Sequence, residues 1–393
     1  MKQKVDWKWK KLSEVCEKPE YGYTTSAKPD GQGPLFVRTT DISNGDICWK
    51  SVPFCAEPPI DEERYRLKDG DILISRAGSV GVSVVVKTPP RAVFASYLIR
   101  FRPGKELIPF YAGFFLKSNM FFAQLGARTS GTTLPGVNAT NLSNVKVPIP
   151  PIKIQRKIAS ILEKAESARE KRKEANRLTD EFLKATFSEI FDIYISGKKE
   201  CHKKAIGDAV NFIDYRGKTP QKSLEGIPLI TAKNIREGYI SKEPKEYISE
   251  EVYEAWMTRG FPKDGDVLFT TEAPIGNVAK LNVKEKIALA QRIIALQCNK
   301  KSIMSDYLVY CLMSNKIKSE VFKRTTGSTA KGIRSKEFAK IEIPIPPIKE
   351  QQKFADLVQK VEKLKEKQRE SEKELNNLFN SLMQKAFRGE LVS

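Results

Sequence analysis

The chain has 393 residues, 40% hydrophobic and 30% charged, which is enough for two to four domains with real cores and argues against a mainly disordered protein. Its 68 Lys and Arg against 48 Asp and Glu leave a net charge of +20, pointing to a polyanionic partner, nucleic acid first. One histidine, six cysteines without a C-x-x-C pair and no apolar run of ~18 residues argue against His-based triads, a metal site, a disulfide framework and a membrane span, and the start carries no apolar leader. A cytoplasmic protein without cofactor is expected.

In chain order, residues 1–150 hold β-branched runs at 72–74 and 82–86 bounded by Gly70 and Gly81, which predict short strands, and 110–116 predicts a helix packed on them. Pro148, Pro150 and Pro151 cannot continue a helix or a central strand, so they mark a stiff extended junction. Residues 151–197 then read as one long helix. Ile154, Ile158, Ile161, Ala165, Ala168, Arg172 and Ala175 alternate in steps of three and four, and a break in phase precedes Leu178, Phe182 and Ala185. Residues 198–346 return to strands, at 267–269, and a helix, at 307–313; Cys201-His202 reads as part of an exposed, Lys-rich connector. Residues 347–393 close with a second seam, Phe354, Leu357, Val361, Leu364, Gln368, Ser371, Leu375, Leu378 and Leu382.

The second half repeats the first. Val147-Pro-Ile-Pro-Pro-Ile-Lys153 returns as Ile343-Pro-Ile-Pro-Pro-Ile-Lys349, an offset of 196 that also aligns Arg128-Thr-Ser-Gly-Thr-Thr with Arg324-Thr-Thr-Gly-Ser-Thr. At 195, Gly70-Asp-Ile-Leu-Ile aligns with Gly265-Asp-Val-Leu-Phe. Neither helix can bury its seam alone, so the two predict an antiparallel coiled coil with pseudo-two-fold symmetry. At ~34 residues and 1.5 Å each, such helices would be on the order of 50 Å long.

Chemistry is not legible in the motifs. The Pro-Pro sites lack the Asn or Asp and the aromatic of an adenine methyltransferase, and Arg216-Gly-Lys-Thr219 has Phe212 where a phosphate loop needs glycine. Pro29-Asp30, with Glu57, Glu62 and Glu63, lacks the lysine of a nuclease motif. What does vary between the copies is three polar loops. Ser75-Arg-Ala-Gly-Ser-Val becomes Thr270-Thr-Glu-Ala-Pro-Ile, Ala95-Ser-Tyr97 becomes Ala290-Gln-Arg292, and Leu134-Pro-Gly-Val-Asn138 becomes Ala330-Lys-Gly-Ile-Arg334. Ser75, Arg76, Ser96, Tyr97 and Asn138 in one copy, and Thr270, Thr271, Gln291, Arg292, Lys331 and Arg334 in the other, are candidate base readers, with Arg76 or Arg292 expected on a guanine. The matched Arg128, Thr129 and Thr132, and Arg324, Thr325 and Ser328, suit phosphate contacts, which carry no sequence information.

Together, Pro148-Ile-Pro-Pro-Ile152 with Gln155, Pro344-Ile-Pro-Pro-Ile348 with Gln351, the closing Lys385-Ala-Phe-Arg-Gly-Glu-Leu391 and the paired Gly-Asp motifs give the chain a specific likeness over essentially its whole length. It resembles the specificity subunit of type I restriction-modification systems. The resemblance implies two α/β target recognition domains in tandem, 1–150 and 198–346, each followed by a spacer helix. It implies no catalysis in this chain, an asymmetric bipartite target in double-stranded DNA, a pair of methylation subunits docked on the helices, and restriction subunits that cleave. Two alternatives remain open from the residues: an adaptor that binds RNA or another polyanion and recruits partners through its coil, and a stand-alone enzyme.

Overall fold

The run at 72–74 becomes the inner strand Ile72–Ser75, all four of its residues buried, as a strand paired on both edges requires. Ser83–Val85 lies on one side and Leu98–Phe101 on the other, with Glu20–Tyr21 outside the latter, all antiparallel. A second sheet orders Ala27–Lys28, Phe54–Cys55, Leu35–Val37 and Ala92–Phe94, the last two strands parallel. The helix Pro109–Leu116, opened by a proline at its first position, packs on the first sheet; its residues 111–116 are all buried. The structure, a computed structural model, describes residues 7–42, 45–126, 137–215, 219–283, 285–327 and 331–392. It divides the chain into two compact units, Met1–Lys173 with Glu370–Ser393, and Glu174–Arg369.

The second unit repeats the plan. Val210–Asp214, Ile293–Cys298, Val267–Thr270 and Val278–Lys280 form the four-stranded sheet in the same order, and Tyr247–Ile248, Ile227–Ile230 and Ala288–Leu289 form the second, again ending in a parallel pair. Ser305–Met313 is the packed helix.

The proline motif lies in a strand as well as a turn. Lys146–Ile149 pairs with Lys8–Lys11, placing Pro148 opposite Trp9, and Glu342–Ile345 pairs with His202–Ala205. Each sheet has only two strands, so a proline can sit in an outer edge without losing a ladder bond. Cys201-His202 is therefore not free connector: His202 opens a strand, and Cys201 packs on the second core.

A buried glutamine locks each junction. Gln155 accepts from the Ile108 N–H at 2.9 Å and donates to the Glu106 and Pro150 carbonyls at 2.7 and 2.9 Å. Gln351 accepts from the Met304 N–H at 2.9 Å and donates to the Ser302 and Pro346 carbonyls at 3.3 and 2.8 Å. Tyr111 and Tyr307 donate to the Pro148 and Pro344 carbonyls at 2.9 and 2.8 Å, and burial pushes both phenols far above their usual range.

Two long helices follow the junctions, Ile152–Ile195 and Ile348–Phe387, of 44 and 40 residues. The first runs unbroken through the phase break near Ala175. Within each unit the start of one helix packs against the end of the other, hence antiparallel. In the first unit Arg169 donates to Asn376 at 2.7 Å and lies 4.4 Å from the Phe379 ring, while Ile158 and Leu162 share a core with Met383 and Phe387. In the second, Gln368 donates to Thr179 at 3.0 Å, Lys365 pairs with Asp180 at 2.8 Å, and Tyr194 donates to Glu350 at 2.8 Å.

The apolar seam differs from the expected heptads. Ile158, Phe354 and Val361 are buried, and Ile161, Ala165, Leu357 and Leu382 pack at its margin. Ala168 and Leu375 are half-buried. Leu364 and Leu378, at 48% and 51% exposure, lie outside it, as do Leu178 and Phe182. Leu183, Phe187 and Phe191 take their place in the first helix, and Val358, Phe379 and Met383 in the second. The reason is a third surface: the helices pack on α/β domains as well as on each other. Phe191 meets Tyr307 at 4.9 Å between ring centroids, and Phe387 meets Tyr111 and Phe115 at 5.5 and 5.4 Å. A stripe wide enough to serve both follows the 3.6-residue helix period instead of 3.5.

Candidate nucleic-acid interface

The three variable loops of the first unit converge. The Arg76 N–H donates to the Tyr97 carbonyl at 2.9 Å, and the Val137 N–H donates to the Arg76 carbonyl at 3.2 Å, so the first loop is sandwiched between the second and the third. The second unit makes the same bonds: Thr271 N–H to Arg292 carbonyl at 3.0 Å, and Ile333 N–H to Thr271 carbonyl at 3.0 Å. One backbone frame thus gathers three loops twice, with different side chains on it.

Not every candidate faces outward. Ser75 is buried and donates to the Ser79 carbonyl, closing its own turn. Thr270 and Thr271 are buried too; the Thr270 hydroxyl accepts from the Asn277 N–H at 2.9 Å, and the Thr271 hydroxyl donates to the Arg292 carbonyl at 3.3 Å. The side-chain hydroxyls of these three are engaged within the frame itself. Their small polar character is a turn requirement, which sequence alone does not separate from base reading. Arg324 pairs with Glu320 at 2.6 Å and Thr325 donates to the Phe322 carbonyl at 2.8 Å, so both are engaged at the end of the helix Asn315–Lys323. Lys323 and Arg324 hold the Glu320 carboxylate down at about 2. Arg128, Thr129, Thr132 and Ser328 lie outside the described residues, as does most of the stretch Arg216-Gly-Lys-Thr219.

In the first unit Tyr97 and Asn138 are exposed, and Arg76 and Ser96 are half-buried beside them. Tyr97 is 60% exposed, and Asn138 caps the helix Ala139–Ser143 by accepting from the Asn141 N–H at 2.8 Å. Sequence reading missed Tyr21. Its ring lies 4.9 Å from the Arg76 guanidinium carbon, and its hydroxyl accepts from the Ala139 N–H at 2.9 Å. Gly22 lets this strand close on the second loop, because a Cβ there would sit 2.2 Å from the Ala95 carbonyl oxygen. The Tyr-Gly-Tyr run at 21–23 was the available signal.

The outward group in the second unit is Arg292, Lys331 and Arg334, with Gln291 half-buried. Its cations come from the second and third loops instead of the first, and the partner of Arg292 is acidic: Glu272 lies 3.6 Å from Arg292, both side chains nearly half exposed. The position of Tyr21, opposite Ile99, is held here by Asp214, opposite Ile294. Asp214 accepts from the Ser335 hydroxyl at 2.6 Å, so strand and third-loop helix are tied together in both units by different chemistry.

Among the described residues no group of three or more His, Cys, Asp or Glu could hold a metal ion, and no helix is long and apolar enough to cross a membrane. Burial pushes the thiols of Cys16, Cys298 and Cys311 up to about 12, 11 and 12, the reverse of what a nucleophile needs.

The sequence profile of the type I restriction modification DNA specificity domain matches residues 4–179 and again 198–377. The chain belongs to that family. Its two specificity-domain matches each take in an α/β domain and most of the helix that follows. The chain is 24% identical over 413 aligned positions to a putative type I restriction enzyme MjaX specificity subunit of Methanocaldococcus jannaschii, covering 98% of this chain and 94% of that one. It is 22% identical to the type I restriction enzyme EcoKI specificity subunit of Escherichia coli, covering 91% and 82%. Its fold is shared with a chain solved in work on complex assembly and conformational transition of the type I R-M system, with a TM-score of 0.59, 20% identity and coverage of 98% and 99%. The S subunit of a type I system from M. genitalium has the same fold, with a TM-score of 0.58, 13% identity and coverage of 98% and 97%.

Proposed function

We propose that this chain is the DNA-specificity subunit of a type I restriction-modification system, working in the cytoplasm. Each α/β domain, 1–150 and 198–346, reads one half of an asymmetric target in double-stranded DNA, and the long helices set the unread spacer between the halves. It carries no catalysis of its own. Methylation subunits and restriction subunits assemble on it, and it directs them to the sites it binds.

The observation that carries this reading is the doubled backbone frame with unlike side chains. Arg76, Tyr97 and Asn138 present one set of donors and acceptors; Arg292, Lys331 and Arg334, beside Glu272, present another. Such groups reach base edges in a major groove, and two unlike sets call for two unlike half-sites. The net charge of +20 supplies the sequence-independent attraction to phosphate on which base reading is superimposed.

Footprinting the chain assembled with its methylation partner tests this. Two separated, dissimilar protected segments are expected. A continuous symmetric footprint contradicts the reading, and salt-sensitive binding without sequence preference makes the chain a general polyanion adaptor.

A further inference from the structure

Resting on that reading, we infer that Tyr21 is the positioning residue for specificity in the first half-site: its ring holds the Arg76 guanidinium in one orientation for a guanine. Arginine has several rotatable bonds, and one that wanders pairs with guanine and phosphate alike. Three contacts remove that freedom here. The Tyr21 face lies 4.9 Å from the guanidinium carbon. The Tyr21 hydroxyl is pinned by the Ala139 N–H at 2.9 Å, at the start of the helix that Asn138 caps. The Arg76 backbone is bonded on both sides, to Tyr97 and to Val137. A guanidinium stacked on an aromatic face keeps its edge N–H groups directed outward in the plane, the arrangement that bidentate pairing with guanine O6 and N7 needs.

The second unit is the internal control. Asp214 stands where Tyr21 stands and buried Thr271 where Arg76 stands, so the ring and the first-loop arginine are both absent there, and the arginines Arg292 and Arg334 stand on the second and third loops. Tyr21 and Arg76 occur together or not at all in the two copies, as expected if the ring serves the guanidinium. A tyrosine needed only to fasten strand to helix would have no reason to track the arginine, since Asp214 fastens the same two elements without it.

The test uses the full chain with its methylation partner and a duplex DNA library randomised over the target length, with the bound fraction sequenced. Arg76→Ala should abolish the preference at one base pair of one half-site and so mark the base it reads. Tyr21→Ala should weaken the preference at that same base pair about tenfold, the scale of a desolvated cation–π contact, and leave the other half-site unchanged. Tyr21→Phe, which keeps the ring and loses the hydroxyl, should stay within about threefold of the parent. Should Tyr21→Ala not assemble, Tyr21→Leu keeps the bulk without the ring and gives the same readout. A Tyr21→Ala profile identical to the parent overturns the inference. So does a loss spread evenly over both half-sites, or a Tyr21→Phe as damaged as Tyr21→Ala, because each marks a structural role. If the parent enriches no motif, the specificity reading itself falls and takes this inference with it; a parent motif indifferent to Tyr21 overturns the inference alone.

Discussion

The two units share a frame and differ in what is fixed to it, and one buried carboxylate shows the difference at its smallest. Asp71 and Asp266 follow the same glycine, and each accepts a backbone N–H three residues back, from Lys68 at 2.8 Å and Lys263 at 2.7 Å. Asp71 then meets the Arg102 guanidinium at 2.7 and 3.0 Å, whereas Asp266 meets the neutral Gln297 amide at 2.9 Å. Burial therefore raises the Asp266 carboxyl above its ordinary range, with no cation in Gln297 to offset it. The backbone bond is the common requirement of the turn; its side-chain partner is free to change. The same division separates the junctions, which are alike in both units, from the variable loops, which are not.

The largest expected effects lie where the units are alike. Gln155→Leu and Gln351→Leu each strand one partly buried N–H and leave two carbonyls without their donor, at ~1–3 kcal/mol per group, so each should cost about 4 kcal/mol in urea unfolding. Unequal losses, several kcal/mol apart, would break the equivalence of the two junctions. Next is Arg102→Gln, which gives Asp71 the surroundings of Asp266 and should cost about 3 kcal/mol at neutral pH, the low end for a broken buried pair because Arg102 is partly exposed.

The reverse exchange sharpens the comparison. Because Asp266 has its folded pKa raised, the stability it confers is fully present below the unfolded carboxylate pKa and is lost as pH rises through the folded value. Gln297→Arg should reduce that loss, and hydrogen exchange in the strand Val267–Thr270 between pH 4 and 7 measures it; an unchanged pH profile would contradict the account. In the loops, Arg76→Ala and Arg292→Ala should each remove ~1–3 kcal/mol of discrimination, in opposite half-sites. Loss of affinity uniform over all sequences would make either one a phosphate contact. The smallest effect is that of Glu272→Gln. Removing a carboxylate that repels phosphate should raise binding to random DNA by about 0.5 kcal/mol, on the scale of an exposed charge pair, and lower the preference for the second half-site. Weaker binding to random DNA would refute that role.

Much of this was legible in the sequence, for identifiable reasons. The duplication, the Pro-rich junctions and the strands around 72–74 and 267–269 are local patterns with local causes. The seam was less so, because heptad spacing assumes that a helix packs only on a helix, whereas Phe187 and Phe379 also face Tyr310 and Phe114. The loops were found but not sorted: whether Ser75 is buried while Arg76 stays partly exposed depends on the pleat and the turn closing on Ser79. Tyr21 and the pairing of Glu272 with Arg292 are not legible because they exist only once distant segments meet.

If each domain reads its own half-site on a shared frame, the two readings are separable. Replacing residues 12–150 with the corresponding region of a relative, and mapping the adenines methylated when the chimera is joined to the methylation partner, tests it directly. One half-site should change while the other half-site and the spacing stay as they were. A change in both half-sites, or in neither, would contradict it.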